Sequence, residues 1–180
     1  MTTISPVRPS PIAGTWYEGN PQALARAVDQ YLDQAELPEL PGEVIGVIAP
    51  HAGHVYSGPV AGYAFAAVRG RTPDLVAVVS PMHHPYHDPL LTTAHDAYGT
   101  PLGTVPVDKE ALSALDALLV ERLGRGLAPV ANDREHSLEI ELPFLQRALA
   151  ADFKLLPVMV NSQTPRHAEI LGAALAEVLK

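Results

Sequence analysis

Two short apolar runs, each ending in a proline-flanked histidine loop, constrain this chain more than any other feature. Residues 44–49 read Val-Ile-Gly-Val-Ile-Ala and lead directly into Pro50-His51-Ala52-Gly53-His54. Residues 75–79 read Leu-Val-Ala-Val-Val and lead into Ser80-Pro81-Met82-His83-His84. Short continuous runs rich in β-branched residues predict strands buried on both faces, as in parallel sheets. Between them, Val60, Ala61, Ala64, Phe65 and Val68 share one side of a helix predicted over 58–68. Strand, crossover helix and strand make a βαβ unit, almost always right-handed. Both histidine loops then leave the same sheet edge, at strand carboxyl ends, where open α/β sheets bind ligands.

The alternation continues along the chain. A helix is predicted over 21–35: Asn20 caps it, Pro21 occupies the tolerant first turn, and Leu24, Ala27, Val28, Tyr31 and Leu32 recur at helical spacing. Short strands are expected at 90–94 and near Val105, followed by a helix over 109–119 capped by Asp108. A helix over 135–150 is expected to kink near Pro143, and an amphipathic helix to cover 165–180. A third buried strand lies within 153–160, where Pro157 predicts an edge position or a bulge. The fold class is α/β, a mostly parallel sheet flanked by helices, in one domain spanning 1–180.

Composition matters for what it excludes. At 180 residues and 47% hydrophobic, the chain is large enough for a real core. No apolar run approaches the ~20 residues that span a bilayer, and the N-terminus lacks a secretory stretch. No membrane partner is expected, and the cytoplasm is the default location. Net charge is −8 with Lys and Arg scattered, which argues against a nucleic-acid partner. With no cysteine, any metal must be held by nitrogen and oxygen.

Histidines therefore become the residues to follow. His51 and His83 leave neighbouring predicted strands about 5 Å apart and are candidate ligands for one ion, with bonds of about 2 Å. A histidine after a strand also serves as a hydrogen-bonded structural residue, and neither loop carries a generic zinc motif, so both readings stand. In Asp133-Arg134-Glu135-His136-Ser137-Leu138-Glu139, helical spacing makes His136 and Glu139 neighbours. They form either a catalytic acid–base pair or the acidic start of a helix favoured by its dipole. Trp16, the only tryptophan, is either a core anchor or a pocket wall.

Together these stretches resemble a known family. Ala13-Gly14-Thr15-Trp16-Tyr17, Ala49-Pro50-His51-Ala52-Gly53-His54-Val55-Tyr56-Ser57-Gly58, Ser80-Pro81-Met82-His83-His84 and Glu135-His136-Ser137-Leu138-Glu139 with Leu142-Pro143 resemble, in order, the motifs of the Memo family. Its bacterial and archaeal members are called AmmeMemoRadiSam system protein B. The resemblance implies a fold similar to the class III extradiol dioxygenases, which hold non-haem Fe(II) with two His and one carboxylate. It implies His51 and His83 as metal ligands and His136, with Glu139, as catalytic residues of the same cleft. Trp16, His54, Tyr56 and His84 are expected to bind substrate.

The departures from the family shape the expectation. His54 stands where members commonly carry Tyr, and His54 or water is expected to fill a third metal position. Members continue beyond this length with a Ser-Ser-Asp-Phe-x-His motif and, in some, a Cys that completes the metal site; neither occurs in these 180 residues. The expectation is a C-terminally truncated Memo relative that binds Fe, Cu or Zn weakly and carries redox or oxygen chemistry, or a relic of it. A small-molecule or peptide ligand would occupy the cleft, with a homo-oligomer or partner covering the missing C-terminal region. The alternative is a catalytically silent ligand- or peptide-binding scaffold.

Overall fold

A computed structural model describes residues 4–180. The strands are β1 (Val7–Arg8), β2 (Leu75–Pro81), β3 (Leu90–Thr93), β4 (Ala97–Thr100), β5 (Gly103–Pro106), β6 (Ala128–Val130) and β7 (Lys154–Val160). The α-helices are α1 (Pro21–Asp33), α2 (His54–Ala66), α3 (Lys109–Leu123), α4 (Leu142–Ala148) and α5 (Pro165–Val178). The main sheet has the order β2-β7-β3-β6, with β2·β7 and β3·β6 parallel and β7·β3 antiparallel. A smaller sheet, β1-β4-β5, pairs β1 parallel and β5 antiparallel to β4. The fold is thus α/β with two mixed sheets, where the sequence predicts one mostly parallel sheet.

Side-chain alternation along β7 explains the layering, because successive residues of a strand face opposite sides of its sheet. Leu155 and Met159 join a core with Leu24, Val28 and Leu32 of α1, Phe65 of α2 and Phe144 of α4. Leu156 and Val158 join a second core with Leu115 and Leu119 of α3 and Leu171 and Ala174 of α5. Glycine lets α1 and α2 approach closely: a Cβ at Gly62 would collide with the Tyr31 backbone. The caps are chemical. Asn20 accepts from Ala23 N at 3.0 Å, Asp108 accepts from Ala111 N at 2.9 Å, and α3 ends on Gly124 at φ 74°.

Three local expectations change. Pro157 sits inside β7 in the middle of the sheet, neither at an edge nor at a bulge. Its carbonyl accepts from Thr92 Oγ1 of β3 at 2.8 Å. A residue's N–H and C=O point to the same side of a strand, so the missing N–H also faces β3, which pairs with β7 only at Leu90 and Leu91. Proline costs no ladder bond there. Next, 135–138 are not helical: a 3-10 turn at Glu139–Glu141 leads into α4, and Pro143 starts that helix rather than kinking it.

The third change is the largest. Residues 44–49 form no strand, and among the described residues none of their backbone groups is hydrogen-bonded. Val47 and Ala49 pack on the main core, while Ile45 and Ile48 are 97% and 99% exposed. The two-faced apolar pattern is present, but no neighbouring strand pairs with it, so the predicted βαβ unit does not close. Finally, no helix among the described residues is long and apolar enough to cross a membrane.

Candidate metal centre

Three loops converge beyond the carboxyl end of β2. His51 lies in the turn that enters α2, held by two bonds: His54 N donates to Trp16 O at 2.8 Å, and Ser57 Oγ donates to Ala52 O at 2.9 Å. His83 follows β2, where Met82 N donates to Val160 O at 2.9 Å. His136 comes from the segment before the 3-10 turn, fastened to β2 by Ser137 Oγ donating to Pro81 O at 2.6 Å. One ring nitrogen from each of His51, His83 and His136 lies within 4.8 Å of the other two. The His83 and His136 rings stack at 4.7 Å between centroids, and His51 sits 5.3 Å from His83.

Glu135 orders this cluster. Its Oε2 accepts from His83 N at 2.6 Å, and its Oε1 accepts from His83 Nδ1 at 2.9 Å, His136 N at 2.8 Å and Ser137 N at 2.9 Å. Burial pushes this carboxyl up, but the bonds from His83 and Ser137 outweigh it and bring the pKa down to about 2. The carboxylate is therefore ionised and only accepts, so His83 Nδ1 donates to it and Nε2 is the ring nitrogen that Glu135 does not engage. His51 and His136 are held below the usual imidazole value, mainly by burial. That bias favours the neutral, ligating form of His51 and His136, and with His83 the donor set is three imidazoles, which suits Zn, Cu or Fe. Nitrogens bound to one ion sit roughly 3–4 Å apart, so closing on it needs about an ångström of ring movement.

Beneath the cluster lies Arg8, which is 2% exposed. It donates through Nε and Nη2 to Asp133 at 3.1 and 2.7 Å, through Nη2 to the Glu135 carbonyl at 2.7 Å, and through Nη1 to Glu139 Oε2 at 2.5 Å. This fork pins 133–139 against β1. Neither Arg8 nor the role of Glu135 is visible in the sequence. Arg8 is 125 residues from Asp133. Reading 135–150 as a helix pairs Glu135 with Glu139, whereas the non-helical backbone turns Glu135 to His83.

The other candidates are distributed as follows. Trp16 lies against the His136 ring at 4.1 Å between centroids, forming a wall of the cluster. His84 is exposed, close enough that its charge contributes to lowering His136. Tyr56 is on α2 and 84% exposed. His54 is not brought to the cluster: it is buried, its Nε2 is 3.1 Å from the Ile140 carbonyl, and Tyr17 and Phe144 flank its ring. Glu139 is also turned away from His136. It is fully buried, and besides Arg8 it accepts from Tyr17 Oη at 2.8 Å and from Ser10 Oγ.

Comparison with known proteins identifies relatives of this chain. Residues 8–180 match the family described as Memo-like protein. A MEMO1 family protein of Nitrosopumilus maritimus is 31% identical over 97% of this chain and 64% of its own length. Those of Pyrobaculum aerophilum and Thermotoga neapolitana are 33% and 35% identical, again over 97% of this chain, and over 63% and 65% of their own lengths. The chain thus spans less than two thirds of the length of these curated relatives.

Proposed function

The chain belongs to the Memo-like protein family, and from that membership we propose that it binds one transition-metal ion among His51, His83 and His136. The observation that carries the proposal is the convergence of three ring nitrogens within 4.8 Å, from three loops distant in sequence. We take His136, rather than His54, as the third ligand, and Glu139 as an anchor of the loop that carries it. The finer reading is Fe or Cu redox or oxygen chemistry akin to that of the class III extradiol dioxygenases, on a small-molecule or peptide ligand bound beside Trp16. A bound ion would supply Lewis acidity and electron transfer. The chain's own residues do the positioning: Glu135 fixes the His83 tautomer and ring, and Trp16 shields one side of His136 from water.

Titration of apo-protein with Zn(II), Fe(II) and Cu(II), followed by calorimetry, tests this. One equivalent is expected to bind, and His51→Ala, His83→Ala and His136→Ala each to abolish stoichiometric binding, while His84→Ala leaves it intact. Binding must compete with protons. Because His51 and His136 titrate below the usual imidazole value of 6.5, affinity should hold at pH 7 and fall only as pH drops beneath that value. Equal, negligible binding in wild type and all variants would sink the metal reading and leave a ligand-binding scaffold. Separately, Glu135→Gln should cost about 10- to 100-fold in metal affinity, since its amide group faces N–H donors and no longer fixes the His83 tautomer. Unchanged affinity would remove Glu135 from the site.

A further inference from the structure

A cleft of about 450 Å³ runs between residues 44–49 and the outer edge of β2. Val44, Val47 and Ala49 line one wall, Val76 and Val78 the other. Four observations bear on it, and none concerns the metal. Both walls carry unpaired backbone: 44–49 make no backbone hydrogen bond among the described residues, and β2 ends the sheet with β7 on one side only. Open edges of this kind pair readily with another strand. The cleft is mostly apolar, and Ile45 and Ile48 on its wall stand almost fully in solvent, at 97% and 99% exposure. Burying an isoleucine is favourable, and the described fold leaves that gain unrealised at both positions.

The other two observations point to what fills it. Ser80 Oγ and Glu141 Oε2 line the same cleft, are buried, and have no hydrogen-bond partner among the described residues. Such orphans are rare in native interiors. And the relatives are longer than their match: this chain covers 63–65% of the three compared above. A helix satisfies its own backbone and would leave both walls unpaired. The β2 edge of a second copy could pair with β2 but would leave 44–49 open. An extended strand pairs on both sides at once.

We propose that this cleft receives one extended, apolar β-strand from the part of a family-length polypeptide that lies outside the match to these 180 residues. The strand would join 44–49 to β2, making both internal to the main sheet. Its donors would meet Ser80 Oγ and Glu141 Oε2. Leu179, immediately after α5, lines the same cleft.

The test is fragment complementation. The 180-residue protein is mixed with a polypeptide comprising the part of the Thermotoga neapolitana relative that lies outside its match. Hydrogen exchange is followed by mass spectrometry. Alone, 44–49 should exchange nearly as fast as unfolded chain. With the fragment, exchange at 44–49 and along β2 should slow at least tenfold, at 1:1 stoichiometry. Gly46→Pro removes one N–H at a position where a side chain meets nothing within 4 Å, so the free protein keeps its stability while fragment affinity falls at least tenfold. Absence of binding, or protection confined to other surfaces, would overturn the proposal. Protection that rises with protein concentration without the fragment would make a second copy the occupant and equally overturn it.

Discussion

Replacing Arg8 with alanine is expected to destabilise the fold by about 3–5 kcal/mol, the usual cost of removing one partner from a buried ion pair. Arg8 is 2% exposed and its partner Glu139 is fully buried. Asp133 meets the fork of the guanidinium at 3.1 and 2.7 Å. Burial by itself disfavours the charged form of Arg8, but the hydrogen bond and charge of Asp133 override it and hold the group firmly protonated. Without Arg8, the buried carboxylates Asp133 and Glu139 lose their counter-ion, and the Tyr98 ring loses the cation 5.0 Å from its centroid. Arg8→Lys keeps the charge but not the planar fork, so it should recover only part of the loss. Urea unfolding at pH 7 reads both variants. The same fork pins the segment bearing Glu135 and His136, so metal affinity should fall with stability in Arg8→Ala. A loss below about 1 kcal/mol would mean that water or rearrangement replaces Arg8, and that the loop is held by other contacts.

The sequence predicts α1, α3 and α5 well because their signals are local. Asn20 and Asp108 act through bonds within one turn, and the periodic apolar residues of α1 bury the face they predict. The strand β7 is legible for the same reason. Residues 44–49 show the limit. Their pattern is that of a doubly buried strand, but a strand exists only where a neighbour accepts its hydrogen bonds, and that is a tertiary fact. The site divides along the same line. His51 and His83 are conspicuous because each follows an apolar run and a proline. That His136, and not His54, meets them is decided by backbone direction: α2 begins at His54 and turns its ring into the core, while the non-helical 135–138 presents His136 outward. Spacing rules for helices cannot report on a segment that is not one.

Glu141→Gln should make the protein more stable at neutral pH and leave it unchanged in acid. Glu141 is buried, with Oε2 lacking any partner among the described residues, and burial alone pushes its pKa up to about 8 from an ordinary 4.5. The folded state therefore holds a proton that the unfolded chain releases above pH 4.5. Where the folded state binds more protons, stability falls as pH rises, by about 1.4 kcal/mol per unit for one proton. The wild type should thus be most stable below the unfolded value and lose stability progressively until the folded group ionises near pH 8, a deficit on the order of 3 kcal/mol at pH 7. Glutamine has the shape of the protonated acid and no proton to lose, so its advantage should be near zero at pH 4, grow through neutrality and level off above pH 8. Urea midpoints of both proteins across that range measure it; an advantage independent of pH would show that Glu141 is not held neutral. The experiment also bears on the cleft that Glu141 lines. A strand that brings an N–H to Oε2 stabilises the ionised carboxylate and draws its pKa back down, so the wild-type penalty should shrink when the complementing fragment is present. The glutamine protein, which has no penalty to relieve, should gain less from the same fragment, and the difference between the two gains isolates the hydrogen bond at this one oxygen.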